Sequence, residues 1–434
     1  MIYDPAYETM PRAELEKLQL ERLKDLIALC RNRVPFYANK FKEIGFQTGD
    51  LKTAADLSLL PFTEKDDLRN NYPHGLSAVP QEDIVRFHAS SGTTGKITVV
   101  GYTANDLKVW AHLMARSLTA TGLSRSDVIN VAYGYGLFTG GLGAHYGAEL
   151  LGAAVVPCSS GSSVRQIRLM SDLRVTGLCC TPTYALYLSE VAKKEGLDFR
   201  DKSRLPLKVG VFGAEPWSDS MCQTIEETMA INAMNIYGLS EIMGPAVSIE
   251  CLESRVGLHI FEDHFLPEII DPNTGQILGP GQEGELVLTT LTKEGTPLLR
   301  YRTRDITSLI EEPCPCGRTH RRMSRLRGRS DDMLIIKGIN VYPSQIETLI
   351  LDTDGFSPNY QIIVDRDNNL DTLEVCVEAA EPLYGDAAAG LTRVLSRKIK
   401  DNLTVEAKVT IIPDNTVPRG QGKTQRVFDK RQKI

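Results

Sequence analysis

Short apolar runs alternate with amphipathic stretches from Asn105 to Tyr237, and this alternation constrains the fold more than any other feature of the chain. Val128–Tyr133, Ala154–Pro157, Leu178–Cys180, Lys208–Phe212 and Asn232–Tyr237 have the length and side chains of buried strands. Asn105–Thr121, Gly141–Leu151, Val164–Leu173, Thr183–Glu195 and Asp219–Met229 carry apolar residues at helical spacing. Strands separated by helices pair in parallel and are covered on their faces, so an α/β fold is predicted. At 434 residues the chain is too long for one core and calls for more than one domain.

The texture changes after about Arg255. His259 to Ile310 is strand-like, with turn signals at Asp271-Pro272-Asn273-Thr274-Gly275 and Gly279-Pro280-Gly281, and predicts a small antiparallel sheet or barrel. From Met333 onward, strands near Leu334–Ile336, Gln361–Val364, Glu374–Val377 and Lys408–Ile412, with a helix near Ala387–Leu403, predict a compact α+β module. The expected division is a large N-terminal domain over 1–330 and a mobile α+β C-terminal domain over 331–434. Residues 11–44 read as helical, and Thr63-Glu64-Lys65-Asp66 reads as a capping box without chemistry.

Bulk properties exclude several classes. Lys and Arg number 49 against 55 Asp and Glu, a net charge of −6, which gives no footprint for nucleic acid or an anionic membrane. The Met1 end lacks the basic and apolar regions of a secretory signal. Val128 to Ala148 is uncharged, but Gly134, Gly136, Gly140, Gly141, Gly143 and Gly147 make it too turn-prone for a membrane span. Nine scattered cysteines argue against a disulfide scaffold and fit a reducing cytoplasm.

Several strand ends carry residue types suited to a nucleotide. Ser90-Ser91-Gly92-Thr93-Thr94-Gly95-Lys96 joins two predicted strands, Ile84–His88 and Ile97–Tyr102. Its glycines allow close backbone approach, and its N–H groups, hydroxyls and lysine can hold phosphate; a solvated turn is the alternative. It is not a Walker loop, because only Thr93 and Thr94 separate Gly92 from Gly95. Gly134-Tyr135-Gly136-Leu137-Phe138-Thr139 fails the dinucleotide fingerprint at Thr139. Gly213-Ala214-Glu215-Pro216 follows a buried strand. Tyr237-Gly238-Leu239-Ser240-Glu241 ends another and offers a ring for adenine and a carboxylate for Mg²⁺. Tyr301-Arg302-Thr303-Arg304-Asp305 offers a carboxylate for ribose hydroxyls, and Pro418-Arg419-Gly420-Gln421-Gly422-Lys423 presents a lysine on a glycine-flexed loop. Each of these is also an ordinary strand-end composition.

In this order, and over nearly the whole chain, these motifs resemble the adenylate-forming superfamily of acyl-CoA synthetases and luciferases. Phe212-Gly213-Ala214-Glu215-Pro216-Trp217 and Ser330-Asp331-Asp332-Met333-Leu334-Ile335-Ile336-Lys337-Gly338 narrow the resemblance to phenylacetate–CoA ligases. The resemblance implies a two-step reaction: a carboxylate attacks the α-phosphate of ATP to give acyl-AMP and pyrophosphate, then coenzyme A displaces AMP. It implies Lys423 between the carboxylate and the α-phosphate, and the loop Ser90–Lys96 on the β- and γ-phosphates. Glu241 falls on Mg²⁺, and Ala214, Glu215, Pro216, Asn235, Ile236, Tyr237 and Gly238 around the adenine. Asp305 and Arg329 fall on the ribose, Asp331 at a hinge, and Lys337 and Gly338 near the pantetheine. A site shared by two domains suits gating by domain motion. Many relatives have Thr-Gly-Asp where this chain has Thr303-Arg304-Asp305.

Tyr135, Phe138 and Gly213 are candidates for an apolar slot taking an aryl acid, with core packing as the alternative. No cation stands out for a second carboxylate, which favours a monoacid. Cys314-Pro315-Cys316-Gly317 with Cys251 and His259 could hold a structural zinc, His264 being the competing histidine and ordinary buried cysteines the alternative. Other acceptors for the acyl group, an amine or a carrier thiol, remain open, as does a nucleotide-binding module without turnover. Oligomeric state is not legible in the residues, and a homodimer is the assembly to test.

Overall fold

The structure, a computed structural model, describes residues 1–90, 97–159, 161–215, 217–337, 339–367, 370–418 and 426–431. The chain divides into two compact units. The first comprises Met1–Cys180, Asp201–Ala214 and Asn232–Arg325; the second comprises Thr181–Arg200, Glu215–Ile231 and Leu326–Ile434.

The first unit is built on a nine-stranded sheet. From one edge, Ala154–Val156, Val128–Val131, Gly177–Cys180, Val209–Phe212 and Asn232–Leu239 lie side by side in parallel, as the alternation predicts. At Asn232–Leu239 the pairing changes sign. That strand turns back into Gly244–Ile249, and Leu258–Ile260, Arg322–Met323 and Leu309–Ile310 continue the sheet antiparallel. The parallel strands are mostly apolar and are fully buried at Gly177–Cys180 and Val209–Phe212, as strands covered on both faces must be.

Two glycines of Val128–Ala148, Gly143 and Gly147, serve helix packing. A Cβ on Gly143 would lie 2.6 Å from Trp110 Cζ2, and one on Gly147 2.1 Å from Met114 Cβ. Only glycine lets Thr139–Leu151 approach Ala104–Ala120 so closely. No helix among the described residues is long and apolar enough to cross a membrane.

A second, antiparallel sheet pairs Phe265–Ile270, Gly284–Thr290 and Tyr301–Thr307. A separate ribbon pairs Arg86–Ser90 with Thr98–Tyr102, in register from Arg86↔Tyr102 to Ser90↔Thr98. The helical stretch expected over 11–44 is two helices, Arg12–Arg33 and Pro35–Glu43. Val34 between them is extended, because a proline ring disfavours helical backbone in the residue before it.

The second unit contains a four-stranded sheet in the order Lys408–Ile412, Leu370–Ala379, Phe356–Asp367, Val427–Asp429. Helices Pro343–Leu351 and Gly385–Leu403 contribute Ile346, Ile350, Leu395 and Ile399 to a core shared with Ile362, Val364, Val375 and Val377. Helices Pro182–Lys194 and Asp219–Met229 group with this unit, and Ser220 Oγ bonds Asp352.

Candidate active site

Glu241 lies in the turn joining Asn232–Leu239 to Gly244–Ile249, at the carboxyl end of the last parallel strand. Ligands collect at that edge of α/β sheets. The turn is tight: a Cβ on Gly238 would lie 1.8 Å from the Gly244 carbonyl oxygen, so position 238 admits only glycine. Its backbone is held from below. Lys293 Nζ donates to the carbonyls of Glu241 at 3.1 Å and Ile242 at 2.8 Å. Tyr102 Oη lies 3.1 Å from the carbonyls of Ser240 and Met243 and donates to one at a time. The Lys293 ammonium also sits 4.5 Å from the Tyr102 ring centre, fully enclosed, and burial lowers its pKa to about 8 against the pull of Asp106 and Glu241.

The Glu241 carboxylate is itself buried, with 5% exposure. Oε1 accepts from Ser90 Oγ at 3.1 Å and pairs with Lys65 Nζ at 3.2 Å. Burial alone would push this carboxyl up. The Lys65 charge and the hydrogen bonds outweigh it and hold Glu241 below the usual carboxylate range. An ionised, buried carboxylate is the hard oxygen donor that Mg²⁺ takes, with water and phosphate oxygens as its other ligands, so the residue fits that ion. Ser90 is the first residue of the proposed phosphate loop and the last described one before 97. Ser91, Gly92, Thr93, Thr94, Gly95 and Lys96 lie outside the described residues, as do Pro216, Gly338 and Lys423.

Lys65 is the partner of Glu241 that the sequence reading missed. Thr63 is not the cap. It is buried, donates from Oγ1 to the Leu299 carbonyl at 2.7 Å, and leaves Glu64 as N-cap of Lys65–Asn70, with Glu64 N–H donating to Asp67 Oδ2 at 2.8 Å. Lys65 is thus the first residue of the helix, and from there it reaches Glu241.

On the opposite flank of the same strand, Tyr237 Oη donates to Asp305 Oδ2 at 2.6 Å. Asp305 N–H donates to Thr303 Oγ1 at 3.1 Å, within the strand Tyr301–Thr307. Ile236 is buried, and Asn235 N–H donates to Glu250 Oε2 at 2.8 Å. Gly213 runs alongside this strand, where a Cβ would lie 2.4 Å from the Ile236 carbonyl oxygen, and Ala214 has φ +72°. Tyr237, Asp305, Glu241, Ser90 and Lys65 are thus joined through one strand and its turn.

The remaining candidates have contacts of their own. Tyr135 Oη contacts His145 Nδ1 at 3.2 Å, and Phe138 is 40% exposed with its ring 6.3 Å from that of Tyr133. In the second unit, Thr183 N–H donates to Glu215 Oε1 at 3.0 Å, Arg329 Nε pairs with Asp331 Oδ1 at 2.8 Å, and Lys337 is exposed with φ +51°.

Cys251, His259, Cys314 and Cys316 do converge: their ligand atoms all lie within 4.8 Å of one another. Cys251 Sγ and Cys314 Sγ are 3.5 Å apart, and Cys316 Sγ is 3.4 Å from His259 Nε2. Bonds of about 2.3 Å to a tetrahedral ion would put thiolates about 3.8 Å apart, so the donor set fits zinc. His259 Nδ1–H donates to the His320 carbonyl at 3.3 Å and turns Nε2 toward the thiols. A hydrogen bond from Cys251 is the largest cause holding Cys316 far below the usual thiol range, while Cys251 is pushed up. His264 is not part of the cluster; it contacts Thr292 Oγ1 at 2.6 Å and Asp263 at 3.2 Å. None of the nine cysteines is in a disulfide among the described residues.

Comparison with known proteins closes the question of family. Residues 16–291 match the family model described as AMP-binding enzyme, and 338–431 match the AMP-binding enzyme C-terminal domain. A phenylacetate-coenzyme A ligase of Thermus thermophilus is 50% identical over 447 residues, covering 99% of this chain and 100% of that protein. The chain belongs to the phenylacetate–coenzyme A ligase family of AMP-binding enzymes. The Escherichia coli phenylacetate-coenzyme A ligase is 49% identical over 98% of this chain and 97% of its own length. A crystal structure of 2-hydroxyisobutyryl-CoA ligase with 2-HIB-AMP, in the postadenylation state, shares 30% identity and a TM-score of 0.93, covering 99% of this chain and 92% of that one.

Membership in this ligase family sharpens one departure in the ribose motif. Arg304 has φ +67°, the left-handed region that glycine enters without cost, which is the residue many superfamily members carry there. The arginine is held in it by ion pairs with Glu64 at 2.9 Å and Glu285 at 3.6 Å. The side-chain pairs thus oppose the backbone cost next to Asp305.

Proposed function

We propose that this chain is an AMP-forming acid–thiol ligase that activates phenylacetate, or a close aryl acid, as acyl-AMP and transfers the acyl group to coenzyme A. The observation that carries the reading is the full-length likeness to phenylacetate-coenzyme A ligases at half identity. The contacts of Glu241 with Ser90 and of Tyr237 with Asp305, made from one strand and the turn that follows it, agree with it.

Two anions must meet in the first step, so fixed donors and positive charge dominate its catalysis. Lys423 bridges the acid and the α-phosphate, and Ser90–Lys96 hold the β- and γ-phosphates. Magnesium, when bound, neutralises phosphate charge, and Glu241 is the side chain that holds it. The Ala214–Pro216 loop, with Asn235, Ile236, Tyr237 and Gly238, flanks the adenine. Asp305 and Arg329 take the ribose hydroxyls. Tyr135, Phe138 and Gly213 line the acyl slot. The C-terminal domain, 331–434, turns at Asp331 between the half-reactions, and Lys337 and Gly338 then face the pantetheine. Zinc bound by Cys251, His259, Cys314 and Cys316 pins the loop 314–317 to the sheet and takes no part in the chemistry.

Incubation with ATP, Mg²⁺ and phenylacetate tests the reading. AMP release is expected to depend on coenzyme A and to match phenylacetyl-CoA formed. Multiple-turnover AMP release that instead follows an added amine or a carrier-protein thiol would point to another acceptor.

A further inference from the structure

The contact between Lys65 and Glu241 has no part in the reaction described above. It joins a side chain 35% exposed to one only 6% exposed. The carboxylates on Lys65's own helix are engaged elsewhere: Glu64 with Arg302 and Arg304, Asp66 with Arg69, and Asp67 with Lys40 and the Glu64 N–H. Lys65 instead crosses to a residue 176 positions away in sequence (241 − 65) and pairs with Oε1, the same oxygen that accepts from Ser90. A carboxylate taken out of water without a counter-charge is costly, and the pair with Lys65 offsets that cost for Glu241. The partner is a lysine, a point charge on a flexible stem that can swing away, not an arginine locked in a bidentate fork. A dication and an ammonium repel each other and compete for that one oxygen.

We propose that Lys65 is a resident cation of the nucleotide site, a positioning residue that occupies Glu241 Oε1 while the site is empty and yields it when the metal–nucleotide complex binds. The inference rests on the reading of Glu241 as the carboxylate that holds Mg²⁺. Lys65 stands in for part of the metal's charge, so its removal makes nucleotide binding more dependent on metal.

The test is calorimetric titration of the full chain with ATP, without acid substrate, in excess EDTA and again in saturating Mg²⁺. The readout is the ratio of the two dissociation constants. Lys65→Met is expected to raise that ratio about tenfold over wild type, mainly by weakening metal-free ATP, because a bare carboxylate then faces the polyphosphate. Lys65→Arg, which keeps the charge, is expected to stay within about twofold of wild type. An equal loss of affinity in both conditions, or no change in either, overturns the inference, since a merely structural lysine or a simple phosphate ligand behaves that way. Glu241→Gln separates the two readings. If it keeps the wild-type gain from Mg²⁺, the reading of Glu241 itself fails; if it loses that gain while Lys65→Met leaves the ratio unchanged, only the resident-cation inference fails.

Discussion

The Tyr237 hydroxyl donates to Asp305 Oδ2 at 2.6 Å, tying the strand that leads into the Glu241 turn to the strand that carries the proposed ribose carboxylate. A hydrogen bond to a charged acceptor contributes about 1.5–3 kcal/mol when it is lost. Tyr237→Phe is therefore expected to raise KM for ATP roughly tenfold while leaving KM for phenylacetate unchanged. Asp305→Ala removes the proposed ribose contacts outright and should raise KM for ATP on the order of 100-fold. Initial-rate kinetics with each substrate varied decide this; an equal rise in both KM values would place Tyr237 in general scaffolding.

The Cys251, His259, Cys314 and Cys316 cluster predicts about one zinc ion per purified chain. Cys316→Ser should lose the metal and lower the apparent Tm by roughly 5 °C or more. Metal analysis that finds no zinc in protein prepared without chelator ends this assignment.

His264 supplies an acid-sensitive contribution to stability. It is buried beside Asp263, with Arg116, Arg22 and His112 also acting on it, and burial is the largest cause lowering its pKa from 6.5 to about 3. The unfolded chain therefore binds one more proton than the folded one between those values, so stability falls as pH drops from 6.5 toward 3. The stability gap between wild type and His264→Gln should shrink by about 1.4 kcal/mol per pH unit in that window and stay constant above it. Denaturant unfolding at a series of pH values measures the gap.

Lys423→Ala separates the half-reactions. Its adenylation rate should fall by at least about 100-fold, since a charge placed only for that step is removed. Thiolysis of supplied phenylacetyl-adenylate should proceed near the wild-type rate. Equal loss of both steps would contradict the assignment of Lys423 to adenylation alone.

Much of this was written in the sequence, and the exceptions have physical reasons. The strand–helix alternation from Asn105 to Tyr237 was legible because both periodicities are local. Gly244–Ile249, which turns the sheet antiparallel, was missed because its apolar run continues that of the preceding turn. Helix Pro343–Leu351 was missed because its N-terminal proline reads as a breaker when its place in the first turn is unknown. Glu241 and Asp305 were found from strand-end motifs, whereas Lys65 was absorbed into a cap set one residue too early. Lys293 gave no signal at all: a lysine in sequence looks solvated, and only the fold encloses it beneath the Glu241 turn.

The most direct test of the central claim is exchange of labelled pyrophosphate into ATP by the wild-type chain in the absence of coenzyme A. An enzyme that forms a phenylacetyl-adenylate will exchange label when phenylacetate is added and not without it, and phenylacetate will outperform short aliphatic acids across a panel. Exchange that is absent with every acid, or that runs equally well with none, would contradict the account.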